Sequence, residues 1–291
     1  METIQLSIFV IFGIMTILLL VNLYIISGYS KINSAVPSFE NNENSVIFVG
    51  HGTALIHMNN TNILTDPNFD DWIIMFHRIR EAGLKIETLP KIDAVLISHA
   101  HRDHLDKWSM EQFPKGTPVL ISKGNGDILR DRGFTDVREL DIWNETTIKG
   151  IKITATPAKH SGARNSATAD YPLALSYVIE GNRTVYFAGD TGLSNSFEEI
   201  GNKYKIDVAL LPIGAYKPRW FMKSHHMSPE DALDAMEMLG AKEMVPIHWG
   251  SFRMALDSTD EPKEVLLKLI ENSSMKEKVH ILENGEKYIL K

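Results

Sequence analysis

Ser98-His99-Ala100-His101-Arg102-Asp103-His104 puts four potential metal ligands within six residues, at the end of an apolar run over 94–98. That run is short and ends in a turn signal, so it reads as a strand. Alternate side chains of an extended segment point the same way, so His99 and His101 can share one cation. If the chain then turns toward a helix, Asp103 and His104 swing together toward a second position. A structural zinc site closes four ligands on one ion, whereas a two-ion catalytic site leaves positions open for water and substrate.

Outward from this run, three isolated ligand types sit where further strands are expected to end. They are His160 in Pro157-Ala158-Lys159-His160, Asp190 in Phe187-Ala188-Gly189-Asp190-Thr191-Gly192, and His248 in Val245-Pro246-Ile247-His248. Alone, each reads as a loop residue, and the His-rich turn alone reads as a solvated one. As a set they meet a chemical requirement: two three-ligand sites need six groups, and one carboxylate can bridge them. His99, His101 and His160 would hold one ion; Asp103, His104 and His248 would hold the other; Asp190 would span both.

The rest of the chain alternates short apolar runs with turns and amphipathic stretches. Strands are expected at 46–49, 53–57, 63–65, 94–98, 119–122, 151–156, 173–179, 185–188, 208–213 and 244–248. Ser228-Pro229-Glu230-Asp231 is a helix start, with Ala232, Leu233, Met236 and Leu239 on one face and Gly240 as the stop. A second helix follows Pro262, with Val265, Leu266, Leu269 and Ile270 expected inward. Grouped strands with helices between some of them predict an α+β fold, two sheets packed together with helices outside.

Composition narrows the chemistry. The chain has 291 residues, no Cys and a net charge of -7, with 44% hydrophobic and 23% charged residues. It is long enough to bury a sizeable core and is not compositionally disordered. Without Cys there are no disulfides, iron–sulfur clusters, Cys-ligated zinc or thiol nucleophile. No Gly-x-Ser-x-Gly elbow is present either. The acidic balance argues against a nucleic-acid partner.

The N-terminus is different. Residues 4–26 are 23 residues interrupted only by Gln5, Ser7, Gly13, Thr16 and Asn22. As a helix they would be about 34 Å long, enough to cross a bilayer core. A cleaved signal peptide is the rival, but no Lys or Arg precedes the apolar stretch and no small-x-small site follows it. Residues 1–29 therefore read as a single-pass membrane anchor, 30–45 as a polar linker and 46–291 as the folded domain.

The seven ligands, in this order, resemble the metallo-β-lactamase superfamily, whose hallmark is a His-x-His-x-Asp-His run followed by distant His, Asp and His. The resemblance implies an αββα sandwich with the metals at one edge of the two sheets. Lacking Cys, the chain departs from the true β-lactamases, which use Cys at one metal site. Four segments are similar to the branch containing the N-acylphosphatidylethanolamine-hydrolysing phospholipase D. They are Gly50-His51-Gly52-Thr53 with Leu64-Thr65-Asp66-Pro67; the stretch 97–106; Ala188 to Gly192; and Pro212 through Trp220-Phe221-Met222-Lys223 and His226 to Gly250. In that branch the His matching His226 supports catalysis beside the metals. Arg102 stands where the mammalian enzyme has an aromatic residue, and the loop 161–172 lacks the Trp that often follows the His in relatives.

The resulting expectation is a membrane-anchored hydrolase with two divalent cations, zinc by donor chemistry. A hydroxide held between the ions would attack a phosphodiester, a phospholipid above all, with Asp103 and His226 as catalytic residues. Arg102 would favour an anionic substrate. The alternatives are a lactonase or thioesterase using the same centre, and a non-catalytic membrane-tethered binding module. Asp66 is expected to orient a ligating His. His51 reads either as lining the site or as structural, His225 as surface, and Trp220, Phe221 and Met222 as core by default or as a lipid-facing lip.

Overall fold

The computed structural model describes residues 43–164 and 173–291. In chain order the strands are β1 (Ser45–Gly50), β2 (Thr53–Met58), β3 (Thr61–Thr65), the short pair β4 (Trp72–Ile73) and β5 (Phe76–His77), β6 (Ala94–Leu96), β7 (Val119–Ser122), β8 (Val137–Leu140), β9 (Glu145–Ile148), β10 (Ile151–Ser161), β11 (Leu173–Glu180), β12 (Thr184–Phe187), β13 (Val208–Pro212), β14 (Glu243–Ile247) and β15 (Lys287–Ile289). The helices are α1 (Lys107–Glu111), α2 (Asp127–Arg130), α3 (Ser196–Lys203), α4 (Arg219–Met222), α5 (Pro229–Leu239) and α6 (Glu261–Ile270).

One seven-stranded sheet runs β15-β1-β2-β3-β6-β7-β8, and one six-stranded sheet runs β14-β13-β12-β11-β10-β9. Alternation decides what each strand buries. Val46 and Phe48 of β1 and Ala94 and Leu96 of β6 join the core between the sheets. Ile47, Val49, Val95 and Ile97 point the other way, into an outer core with Met110 of α1 and Leu129 of α2. Over the six-stranded sheet, α5 packs on β13 and against α3. The layers are those of the expected αββα sandwich.

Strand direction places the site. β1 and β3 are both antiparallel to β2, and β6 is parallel to β3. β10 and β12 are both antiparallel to β11, and β13 and β14 continue parallel to β12. The carboxyl ends of β1, β3 and β6 therefore share one edge of their sheet, as those of β10, β12, β13 and β14 do in theirs. At these ends stand His51, Asp66, His99, His160, Asp190 and His248.

The helix start at Ser228 forms a full capping box with Asp231, and Gly240 closes α5 in a left-handed conformation at φ 59°. Three expectations change. The strand from Ile151 runs on to Ser161 and carries His160 itself, with a bulge between Pro157 and Ser161. In α6 the inward residues are Pro262, Leu266 and Ile270, one helical face, while Leu269 is 38% exposed. Trp220 and Phe221 are not core: they are 86% and 57% exposed on α4. Among the described residues no helix is long and apolar enough to cross a membrane. The span read at 4–26 lies outside them.

Candidate metal centre

The run after β6 leaves its sheet as a turn, not as continued strand. Asp106 caps α1 by accepting from Ser109 N, which ends the turn. Within it His99 Nε2 lies 2.9 Å from His101 Nδ1, and His160 Nε2 lies 3.2 Å from that same atom. The bulge in β10 re-aims His160 toward the turn. The remote nitrogens are engaged elsewhere. His160 Nδ1 donates to the His225 carbonyl at 3.0 Å, and His99 Nδ1 lies 2.9 Å from the Ser98 hydroxyl. Each of these two rings therefore turns its Nε2 inward.

A second set adjoins the first. His104 Nε2 lies 3.2 Å from Asp103 Oδ2 and 3.1 Å from Asp190 Oδ2. His248 Nε2 lies 3.2 Å from Asp190 Oδ1 and 3.6 Å from Asp103 Oδ2. Asp190 also groups with His160 and His226, so it stands between the two sets. Gly189 makes this approach feasible: at φ 59°, its position would put an added Cβ 2.4 Å from Ser98 Cβ.

The donor set fits divalent cations. His104 Nε2, both nitrogens of His248, Asp190 Oδ1 and His226 Nδ1 are buried without a hydrogen-bond partner. Such atoms are costly unless a ligand satisfies them. Imidazole and carboxylate suit zinc and neighbouring divalent metals.

The electrostatics divide the two sets. Desolvation lowers His160 to a pKa of about 3 and His101 below its usual range, so their lone pairs are free near neutral pH. Burial opposes charge on His248 too, but the Asp190 and Asp103 carboxylates outweigh it and raise the ring to about 9. Burial likewise opposes charge on His104, yet Asp190, Asp103 and Asp66 push it well above the usual histidine range. Asp103 and Asp190 stay ionised: burial works against them, and His104 overrides it.

All seven candidate ligands thus come together, and His226 lies beside them with Nδ1 3.7 Å from Asp190 Oδ2. His225 is exposed, as expected, but its carbonyl orients His160. Asp66 accepts from His104 Nδ1 at 2.7 Å. His51, left open by the sequence, is buried in the cluster, with Nε2 3.0 Å from Asp103 Oδ2. Arg164 escaped sequence reading. Its Nη1 donates to the carbonyls of Ala100 at 3.1 Å and Leu105 at 2.6 Å, bracing the turn. No spacing in the sequence signals that contact.

A family model described as "Beta-lactamase superfamily domain" matches residues 61–249. The N-acyl-phosphatidylethanolamine-hydrolyzing phospholipase D 1 of Caenorhabditis elegans is 33% identical over an aligned length of 245, in an alignment that covers 75% of this chain and 68% of that relative. A mitochondrial N-acyl-phosphatidylethanolamine-hydrolyzing phospholipase D of Saccharomyces cerevisiae is 34% identical over an aligned length of 243, in an alignment that covers 78% of this chain and 52% of the relative. This chain thus spans about half of the yeast protein. A crystal structure of a possible metal-dependent hydrolase from Veillonella parvula superposes with a TM-score of 0.72 at 20% identity, over 85% of this chain and 100% of that one, a likeness of fold.

Proposed function

The chain belongs to the beta-lactamase superfamily and is a metal-dependent hydrolase, and from that premise we propose a two-ion phosphodiesterase of phospholipase D type, acting on N-acylphosphatidylethanolamine-like or related phospholipids. One observation carries the reading. Asp190 groups with His160 of the three-histidine set and contacts His104 and His248 of the other, and its Oδ1, His104 Nε2 and His248 Nε2 are buried without a hydrogen-bond partner. The names of the C. elegans and yeast relatives support the substrate class.

In this reading His99, His101 and His160 would hold one cation, Asp103, His104 and His248 would hold the other, and Asp190 would serve both, with zinc suited to the donors. Two such ions supply Lewis acidity, lowering the pKa of water toward neutrality and offsetting charge on the attacking and leaving oxygens. Asp103 stays ionised and orients the attacking water as a hydrogen-bond acceptor. Desolvation holds His226 at a pKa of about 4, so it is neutral near pH 7. A neutral ring suits donation of an N–H to a non-bridging phosphoryl oxygen better than delivery of a proton to the leaving alkoxide. Arg102, exposed on the same turn, favours an anionic substrate. Residues 4–26 serve as a membrane anchor that raises the local concentration of lipid.

The test is incubation of zinc-loaded protein with N-acylphosphatidylethanolamine and a phospholipid panel. Release of phosphatidic acid is expected. Intact lipid beside an active control enzyme removes the phospholipid assignment, and turnover of lactones or thioesters instead would move the substrate to a carbonyl.

A further inference from the structure

Four of the seven groups in the centre have an outer partner that sets their orientation. His104 has Asp66, His99 has Ser98, and His160 has the His225 carbonyl. For Asp103 that partner is His51. Its Nε2 lies 3.0 Å from Asp103 Oδ2, and its ring is buried between His248, at 4.1 Å between centroids, and the edge of Phe252 at 5.3 Å. The backbone acts as well. His51 stands just past β1 at φ 56°, and its carbonyl accepts the N–H of His248 at 2.8 Å.

We infer that His51 is a positioning residue for the Asp103/His104/His248 half of the centre. Its imidazole N–H fixes the Asp103 carboxylate, and its left-handed backbone fixes the start of the His248 loop. The three-histidine half has no contact of this kind with it. The inference rests on the two-ion reading above. It predicts that losing the imidazole empties one half-site selectively.

The left-handed backbone dictates the variants. Asn tolerates that conformation but is too short to reach Asp103; Gln reaches it with an amide N–H. Wild-type protein, His51→Asn and His51→Gln are stripped of metal and titrated with Zn2+ against a chromophoric chelator. Wild type should take two ions. His51→Asn should keep the first at wild-type affinity and bind the second about 10–100-fold more weakly. His51→Gln should recover most of that loss. Retention of the first ion and an unchanged circular dichroism spectrum report an intact fold. If His51→Asn binds two ions as tightly as wild type, or loses both, the inference is overturned while the two-ion reading stands. Equal loss in His51→Gln overturns positioning in favour of direct imidazole ligation. A wild type that takes a single ion overturns the two-ion reading, and this inference with it.

Discussion

Asp66 accepts the Nδ1–H of His104 at 2.7 Å, and its same Oδ2 atom accepts the Ser98 hydroxyl at 2.6 Å. That hydroxyl lies 2.9 Å from His99 Nδ1. One buried carboxylate therefore orders a ring in each half of the centre, one directly and one through serine. Its own position is fixed by the end of β3 and by the Ser98 N–H, which donates to Oδ1 at 2.7 Å.

Asp66→Ala should weaken both ions, each by about 10–100-fold. This contrasts with the single half-site expected to fail in His51→Asn. Chelator competition on the two variants side by side checks it. Two ions held at wild-type affinity would show that Asp66 serves the fold alone.

His226→Ala should lower kcat by about 100–1000-fold, the usual cost of removing a donor that acts on transition-state charge. Its metal content should not change, because the seven candidate ligands remain. His226→Gln, which keeps an N–H, should restore part of the rate. Unchanged kcat in His226→Ala would remove this residue from the mechanism.

Metal loading should release protons unequally. His160, at about 3, is neutral at pH 7 and has no proton to lose. His248, raised to about 9, carries one, as does His104. A cation entering the Asp103/His104/His248 set must displace those protons, so its affinity should rise with pH from neutral through about 9, where His248 itself loses its proton. The three-histidine set should be nearly flat over the same range. Calorimetry in two buffers of different ionisation enthalpy counts the protons. Equal release for both ions would contradict the assignment.

Trp220→Ser and Phe221→Ser should each change unfolding free energy by less than about 0.5 kcal/mol, as surface substitutions do. Urea denaturation measures this. A loss in the range typical of buried aromatics, roughly 3–5 kcal/mol, would place them in the core after all.

Local patterns were legible because local physics produces them. The Ser228 cap and Gly240 stop of α5 are settled by a few adjacent residues. The ligand run after β6 is likewise visible, since four donors in six residues are rare in a mere turn. The inward face of α6 was only half readable. Several spacings of leucine fit a helical face, and packing selects Leu266 over Leu269. Between the two readings open for Trp220, core or exposed lip, the structure selects exposure, because hydrophobicity says nothing about which side of a short helix meets solvent.

By itself, the amino-acid sequence determined which donors exist, their order and the strands that deliver them, because ligand type and strand alternation are properties of neighbouring residues. Only the tertiary structure decided that His51 reaches Asp103, that His104 is the ligating ring Asp66 orients, and that Arg164 braces the turn. Those contacts depend on two sheets aligning the carboxyl ends of strands far apart in the chain, and the register of that alignment is set by the shared core rather than by any one segment.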